Sequence, residues 1–418
     1  MNNPSLVYAN SKGEIFDHPE LNMSVHSAGY DMLPYENELI ELPKMSRLYY
    51  MPHTQAMGFD ANKSQYVALP DSYAVSVFLP PAYLRTYLPS YKRTKPEIMP
   101  LYAYTAVGWN NGHFVVPAIK VDDDSHWNPA LYDYTDKFKQ QVDVYLKRYP
   151  KNRLYKQLAH CALNYHCTAA KNVFYPRWEC PLPASPACNA RCVGCISLQE
   201  SECCPSPQTR MSFAPTPEEI AEVACNHARD AEKPIISFGQ GCEGDPVMVA
   251  DNIAIAVKLI RKEFPELTIN FNSNCSLPDK VAKVIDAGVD SIRVSLNSVV
   301  ESTYNAYYRP TTYKFADVCK SISIANEARC YVALNLLTMP GVNDRRSEVE
   351  ALVKFLSKYN VGLIQTRNLN IDIALLEDAL KLPVDEVLGI KNMLKAIKLE
   401  HKNIKFGYFN RTKDNFYR

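Results

Sequence analysis

Between residues 173 and 399, apolar runs of period two alternate with stretches of helical period, and this alternation constrains the fold most. Val173–Trp178, Ile235–Phe238, Leu267–Asn274, Ser291–Asn297, Tyr331–Thr338 and Gly362–Asn368 read as six strands. Thr216-Pro217-Glu218-Glu219 starts a helix, with an N-cap, a proline at the first position and a glutamate at the third. Ile253, Val257, Ile260 and Phe264 line one face of the next helix. Asp279–Ala287 is a helix that Gly288 stops, and helices over Phe315–Ala328 and Ser347–Tyr359 follow. Val384–Leu399 predicts a last helix before a basic, aromatic tail. Strands alternating with helices imply parallel βα units.

The strand faces narrow the architecture. Leu267, Ile269 and Phe271 point one way, and Thr268, Asn270, Asn272 and Asn274 the other. Ile292, Val294 and Leu296 oppose Arg293, Ser295 and Asn297. A parallel sheet covered on both faces reads as continuous apolar runs, and a closed eight-stranded barrel fills its interior with branched apolar residues. Polar inner faces fit an incomplete barrel with a wet interior; a sheet with one solvated face is the alternative.

Residues 1 to about 135 are rich in Pro and Tyr and read as short strands and turns. The clearest element is a hairpin, Leu101–Trp109 and His113–Val121, joined at Asn110-Asn111-Gly112. The turn Asp122-Asp123-Asp124-Ser125-His126 suits a hard cation or simple solvation. Phe138, Val142, Tyr145 and Tyr149, then Leu154, Leu158, Cys161 and Tyr165, mark two helical stripes.

The chain has 46 basic and 45 acidic side chains, which counts against a dedicated nucleic-acid surface. No apolar run is long enough to span a membrane, and the first residues lack a secretory pattern, so a cytoplasmic protein is expected. All 13 cysteines fall between Cys161 and Cys330. An odd number without a signal sequence argues against a disulfide framework and for metal or catalysis. Cys188-x3-Cys192-x2-Cys195 follows the first of the six strands. Iron–sulfur clusters normally take four thiolates, so three leave one iron open to a substrate or cofactor. Zinc with a nearby fourth ligand is the competing reading.

This triplet resembles that of the radical S-adenosylmethionine (radical SAM) superfamily, over roughly residues 170–375. Ser237-Phe238-Gly239-Gln240-Gly241-Cys242-Glu243-Gly244-Asp245-Pro246 is similar to an expanded form of that family's glycine-glycine-glutamate-proline turn. The resemblance implies a partial (β/α)6 TIM-like barrel at 171–375, within an α/β fold. An α+β N-terminal domain at 1–170 would precede it, as a substrate platform or lid. A C-terminal helix and tail at 376–418 would pack on the core. It implies a [4Fe-4S] cluster on Cys188, Cys192 and Cys195. It implies SAM against Gly241, Glu243, Gly244, Asp245, Ser273, Asn274, Ser295, Asn297, Arg309 and Asn335. The turn's backbone carbonyls and carboxylate would hold the methionyl ammonium. The family's aromatic before the third cysteine is here Gly194, so adenine needs another partner.

The implied chemistry is reduction by an external one-electron donor of flavodoxin or ferredoxin type. Cleavage of SAM to methionine and a 5′-deoxyadenosyl radical follows, then hydrogen abstraction from a small molecule or peptide. A non-catalytic iron–sulfur electron carrier is the alternative, and a zinc-stabilised RNA-binding module a more distant one. Cys161, Cys167, Cys180 and one of Cys203 and Cys204 would supply thiolates for an auxiliary cluster, or simply pack. Arg367, among Gln365, Asn368 and Asn370, suits a carboxylate or phosphate, or a structural acid.

Overall fold

The computed structural model describes residues 3–99, 101, 103–123, 125–132, 135–197 and 208–417. Seven strands form one sheet in sequence order. They are β1 (Glu179–Leu182), β2 (Ile235–Phe238), β3 (Thr268–Ser273), β4 (Ser291–Leu296), β5 (Tyr331–Thr338), β6 (Leu363–Asn368) and β7 (Lys405–Gly407). Every pairing is parallel. Helices Pro217–Asp230, Ala250–Glu263, Pro278–Asp286, Phe315–Glu327 and Arg346–Lys358 alternate with the strands. Ile236, Phe238, Ile269, Phe271, Ile292, Val294, Leu334 and Ile364 are buried on the outward faces, in one core with the helices. The α/β reading with parallel strands therefore holds. At the start of the first of these helices Thr216 and Glu219 form the expected capping box.

The first strand lies elsewhere than expected. Thr168–Phe174 is a helix, which buries Val173 and Phe174. The chain turns through Pro176 and Trp178, at φ 21° and 38°, and β1 begins at Glu179. A short apolar run fits a buried helix face as well as a strand, so its pattern does not discriminate. The last helix starts at Ile390 rather than Val384, which is fully exposed. Helices Glu301–Tyr308 and Ile373–Leu380 and strand β7 are additional elements.

Residues after β7 run back under the barrel interior. Phe416 stacks on Tyr331 with ring centroids 4.2 Å apart, and packs with Ala333 and Leu363 near the starts of β5 and β6. Above this apolar floor, Asn410 donates to Glu179 of β1 at 2.6 Å and accepts from Gln365 of β6 at 2.9 Å. One side chain thus spans the open side of the incomplete barrel.

The N-terminal region is an antiparallel sheet of 11 strands beside one of three, counted among the described residues. Its hairpin pairs Gly108–Asn110 with His113–Lys120. Asn111 and Gly112, at φ 49° and 88°, supply the positive angles a tight hairpin turn needs. This sheet is fastened to the end of β6 and the residues just beyond it. The Arg85 amide donates to Asn368, and Asn368 donates back to the Tyr83 carbonyl. Arg93 grips both oxygens of the fully buried Asp372 at 2.5 and 2.6 Å, and the Met99 amide bonds the same carboxylate. Asp372 also caps helix Ile373–Leu380. In the acidic turn, Asp122 pairs with Arg411, Asp123 with Lys120, and His126 stacks on Trp178. Asp122 and Asp123 thus have cationic side-chain partners, and Asp124 lies outside the described residues. Among the described residues no helix is long and apolar enough to cross a membrane.

Candidate functional site

In parallel α/β folds, loops at the carboxyl ends of the strands form the site. Here β1 leads into Cys188, Cys192 and Cys195, all partly exposed. Burial pushes the Cys188 thiol up to about 12 and the Cys192 thiol well above the usual range. The sulfurs of Cys188 and Cys195 add to the rise at Cys192, so the three stand within electrostatic reach of one another. Metal coordination is what removes such protons. Among the described residues no three His, Cys, Asp or Glu side chains converge on a single ion. Three thiols on one short loop suit three irons of one cluster.

The loop is held from several sides. Arg191 and Val193 donate their amides to the carbonyls of Tyr308 and Tyr307, and Ala190 bridges to Pro310. The Asn189 side chain bonds Asn274 and Ser276 beyond β3, each at 2.9 Å. Arg210 donates to the Cys195 sulfur at 3.6 Å.

The glycine turn after β2 locks onto this loop. Glu243 accepts the amides of Ala184 at 2.7 Å and Ser185 at 2.8 Å through one oxygen. Through the other it accepts Gly239 at 3.0 Å and Gln240 at 2.7 Å. Burial pushes this carboxyl up to about 8, with the backbone amides pulling it back. Its four donors give it a fastening role within the protein. Gly244 lies so close that a Cβ would stand 2.0 Å from the Ala187 carbonyl. Gly239, at φ 84°, meets the Asn272 carbonyl in the same way, at 1.9 Å. Asp245 accepts from Ser273 Oγ at 2.6 Å and the Asn274 amide at 2.7 Å, and caps the turn at Val247. Gly241 faces Ile196 of the cysteine loop, 2.6 Å from where a Cβ would be.

The inner faces of the later strands are less occupied. Ser295, Asn335 and Gln365 lie in register across β4, β5 and β6. Ser295 is partly exposed. Asn335 Oδ1 and Asn297 Oδ1 are buried without a hydrogen-bond partner. Asn297 donates its amide to the Thr303 carbonyl. Unpaired buried acceptors are costly unless a ligand completes them, so these atoms fit a bound ammonium or hydroxyl. Arg309 is exposed and ends helix Glu301–Tyr308 at φ 47°.

The structure brings the cysteine loop, the glycine turn and the β3 end into one network, with Arg309 at its rim. Sequence reasoning missed Tyr307. It is buried, and its hydroxyl lies 3.0 Å from where a Cβ on Gly194 would stand. An aromatic residue thus occupies the space that Gly194 leaves, delivered by a helix the periodicity did not reveal. Of the proposed auxiliary ligands, Cys161 and Cys167 stand within electrostatic reach of each other and of Cys242. Cys161 hydrogen-bonds Cys242, while Cys180 is buried on β1 near Tyr145 and Tyr155. Cys203 and Cys204 lie outside the described residues.

Residues 182–356 match the sequence profile of the radical SAM superfamily. This segment is a radical SAM domain. A 119-residue stretch is 29% identical to the FeMo cofactor biosynthesis protein NifB of Klebsiella pneumoniae. That match covers 28% of this chain and 25% of NifB, so the chain spans about a quarter of the curated relative's length. Among solved structures, the [FeFe]-hydrogenase maturase HydG superposes with a TM-score of 0.40 and 16% identity, over 66% of each chain. Methylornithine synthase superposes with 0.38 and 15%, over 66% of this chain and 77% of that one. The radical SAM family implies a [4Fe-4S] cluster and SAM, and the thiols and open acceptors at these strand ends suit both.

Proposed function

We propose that this chain is a radical SAM enzyme acting on a small molecule or a peptide. The observation that carries the reading is the cysteine triplet tied by Glu243 to the glycine turn at the strand ends. When bound, the cluster and SAM together supply reductive cleavage of SAM and a carbon radical able to abstract hydrogen.

Cys188, Cys192 and Cys195 hold the cluster in this reading. Glu243 and Gly244 keep the loop and turn at a fixed separation, and Gly241 leaves room between them. Asp245, Ser273 and Asn274 brace the end of β3 beside SAM. Asn297 and Asn335 direct their unpaired carbonyl oxygens at its polar groups, and Ser295 adds a hydroxyl. Tyr307 supplies the aromatic surface next to Gly194, and Arg309 stands at the rim. Residues 1–170 serve as platform or lid, supported by the Arg85 and Arg93 contacts to residues 368–372. The electron comes from a flavodoxin- or ferredoxin-type donor in the cytoplasm.

Anaerobic reconstitution followed by assay of 5′-deoxyadenosine tests the reading. Production of 5′-deoxyadenosine from SAM under reducing conditions is expected. A protein that takes up iron but neither binds nor cleaves SAM would instead be an electron carrier. About four irons per chain mean one cluster, and about eight an auxiliary one.

A further inference from the structure

Two guanidinium groups meet inside the barrel without a carboxylate between them. Arg293 of β4 donates through Nη1 to Gln365 Oε1 at 2.8 Å. Arg367 of β6 donates through Nη2 to the same oxygen at 3.2 Å. The Nε of each is buried and has no hydrogen-bond partner. Neither arginine makes an ion pair with any described residue, and both side chains are partly exposed. Arg367 lies over the Tyr408 ring, its Cζ 3.8 Å from the centroid. Gln365 is held by Asn410, so its oxygen faces the two cations.

Two positive charges on one neutral acceptor repel. Burial and the neighbouring Arg367 charge together push Arg293 down to about 9. Glu179 acts on Arg293 only at a distance, its Oε1 being bonded by Asn410. The polar hydrogens left over on two planar forks suit the oxygens of one anion. Gln365 stands in register with Asn335 and Ser295, so that anion would lie beside the row proposed for SAM.

We propose that Arg293 and Arg367 form an anion-binding subsite for a carboxylate or phosphate group of the substrate. This deepens the radical SAM reading by naming the substrate's chemical class, and the position beside the SAM row rests on that reading. The subsite also makes a thermodynamic statement of its own: without an anion, the charge pair is a burden on the fold.

The test uses the full chain, with inorganic phosphate and succinate as separate probes. Binding is followed by titration calorimetry and by the rise in Tm. The wild type should bind at least one probe, and whichever binds more tightly identifies phosphate or carboxylate as the preferred group. Arg293→Gln and Arg367→Gln should each weaken that binding at least about tenfold. Their Tm without anion should equal or exceed that of the wild type, which also shows that they fold. SAM affinity should change less than about twofold. If neither probe binds, or both variants bind as the wild type does, the subsite is wrong. It is equally wrong if the variants lose SAM affinity tenfold, because the arginines then serve SAM. Should either variant fail to fold, Arg293→Lys and Arg367→Lys provide the comparison, keeping charge but losing the forked geometry. Anion binding without any SAM cleavage would overturn the enzymatic reading and leave the subsite standing.

Discussion

Glu243 accepts the amide of Ser185 at 2.8 Å, joining the glycine turn after β2 to the backbone that leads into Cys188. The same carboxylate takes three further amides, so it replaces a stretch of sheet hydrogen bonding where two loops must meet. Glu243→Gln puts an amide group against donors and leaves at least one N–H unsatisfied. The expected cost is about 2–3 kcal/mol, measured as a lower urea midpoint with unchanged m. Iron uptake should fall with it. An unaltered midpoint would show that the four contacts do not hold the site together.

Serine at Cys188, Cys192 or Cys195 should abolish most iron and sulfide uptake on reconstitution and leave far-UV circular dichroism intact. Serine at Cys180, on β1 away from the loop, should leave iron uptake as in the wild type. Retained iron in all three loop variants would remove the cluster from this loop.

Arg93→Ala strands the fully buried carboxylate of Asp372. Breaking a buried pair from one side costs about 3–5 kcal/mol. The double variant Arg93→Ala, Asp372→Asn should recover part of that loss, because no charge is then left unpaired. Equal stabilities for wild type and Arg93→Ala in chemical denaturation would show that this contact does not fasten the N-terminal sheet.

Asp344 gives a pH dependence of defined sign. Burial raises its carboxyl from 3.8 to about 7; the Gly341 amide pulls it back and Glu38 nearby adds to the rise. One of its oxygens is buried without a partner. The protonated form is therefore the one the fold tolerates. Its stabilising contribution is complete below about pH 4 and is lost as pH rises through 7, with a ceiling of about 4 kcal/mol. Asp344→Asn should flatten the decline in urea midpoint between pH 5 and 8. Parallel profiles for the two proteins would dismiss it.

The elements legible in the sequence were those with a local chemical cause. Thr216 and Glu219 cap a helix through their own neighbours, and Asn111-Gly112 turns a hairpin through its own φ angles. Residues 173–178 misled because Val173 and Phe174 bury equally well from a helix, and what separates the two states is packing. The cysteine spacing was legible because a cluster loop is a local object. The four amide donors of Glu243 come from segments up to 59 residues away, which no local pattern displays. Tyr307 and Gly194 likewise meet only once the chain is folded. Arg293 and Arg367 are 74 positions apart, and their convergence on Gln365 needed the register of three strands.

Asn410 touches both flanks of the open barrel, and Phe416 lies under β5 and β6. This segment is synthesised after every strand it bridges. The polar interior therefore remains unsealed from below while those strands assemble during translation. That leaves an interval in which the inside of the domain is reachable from two ends, and afterwards from one.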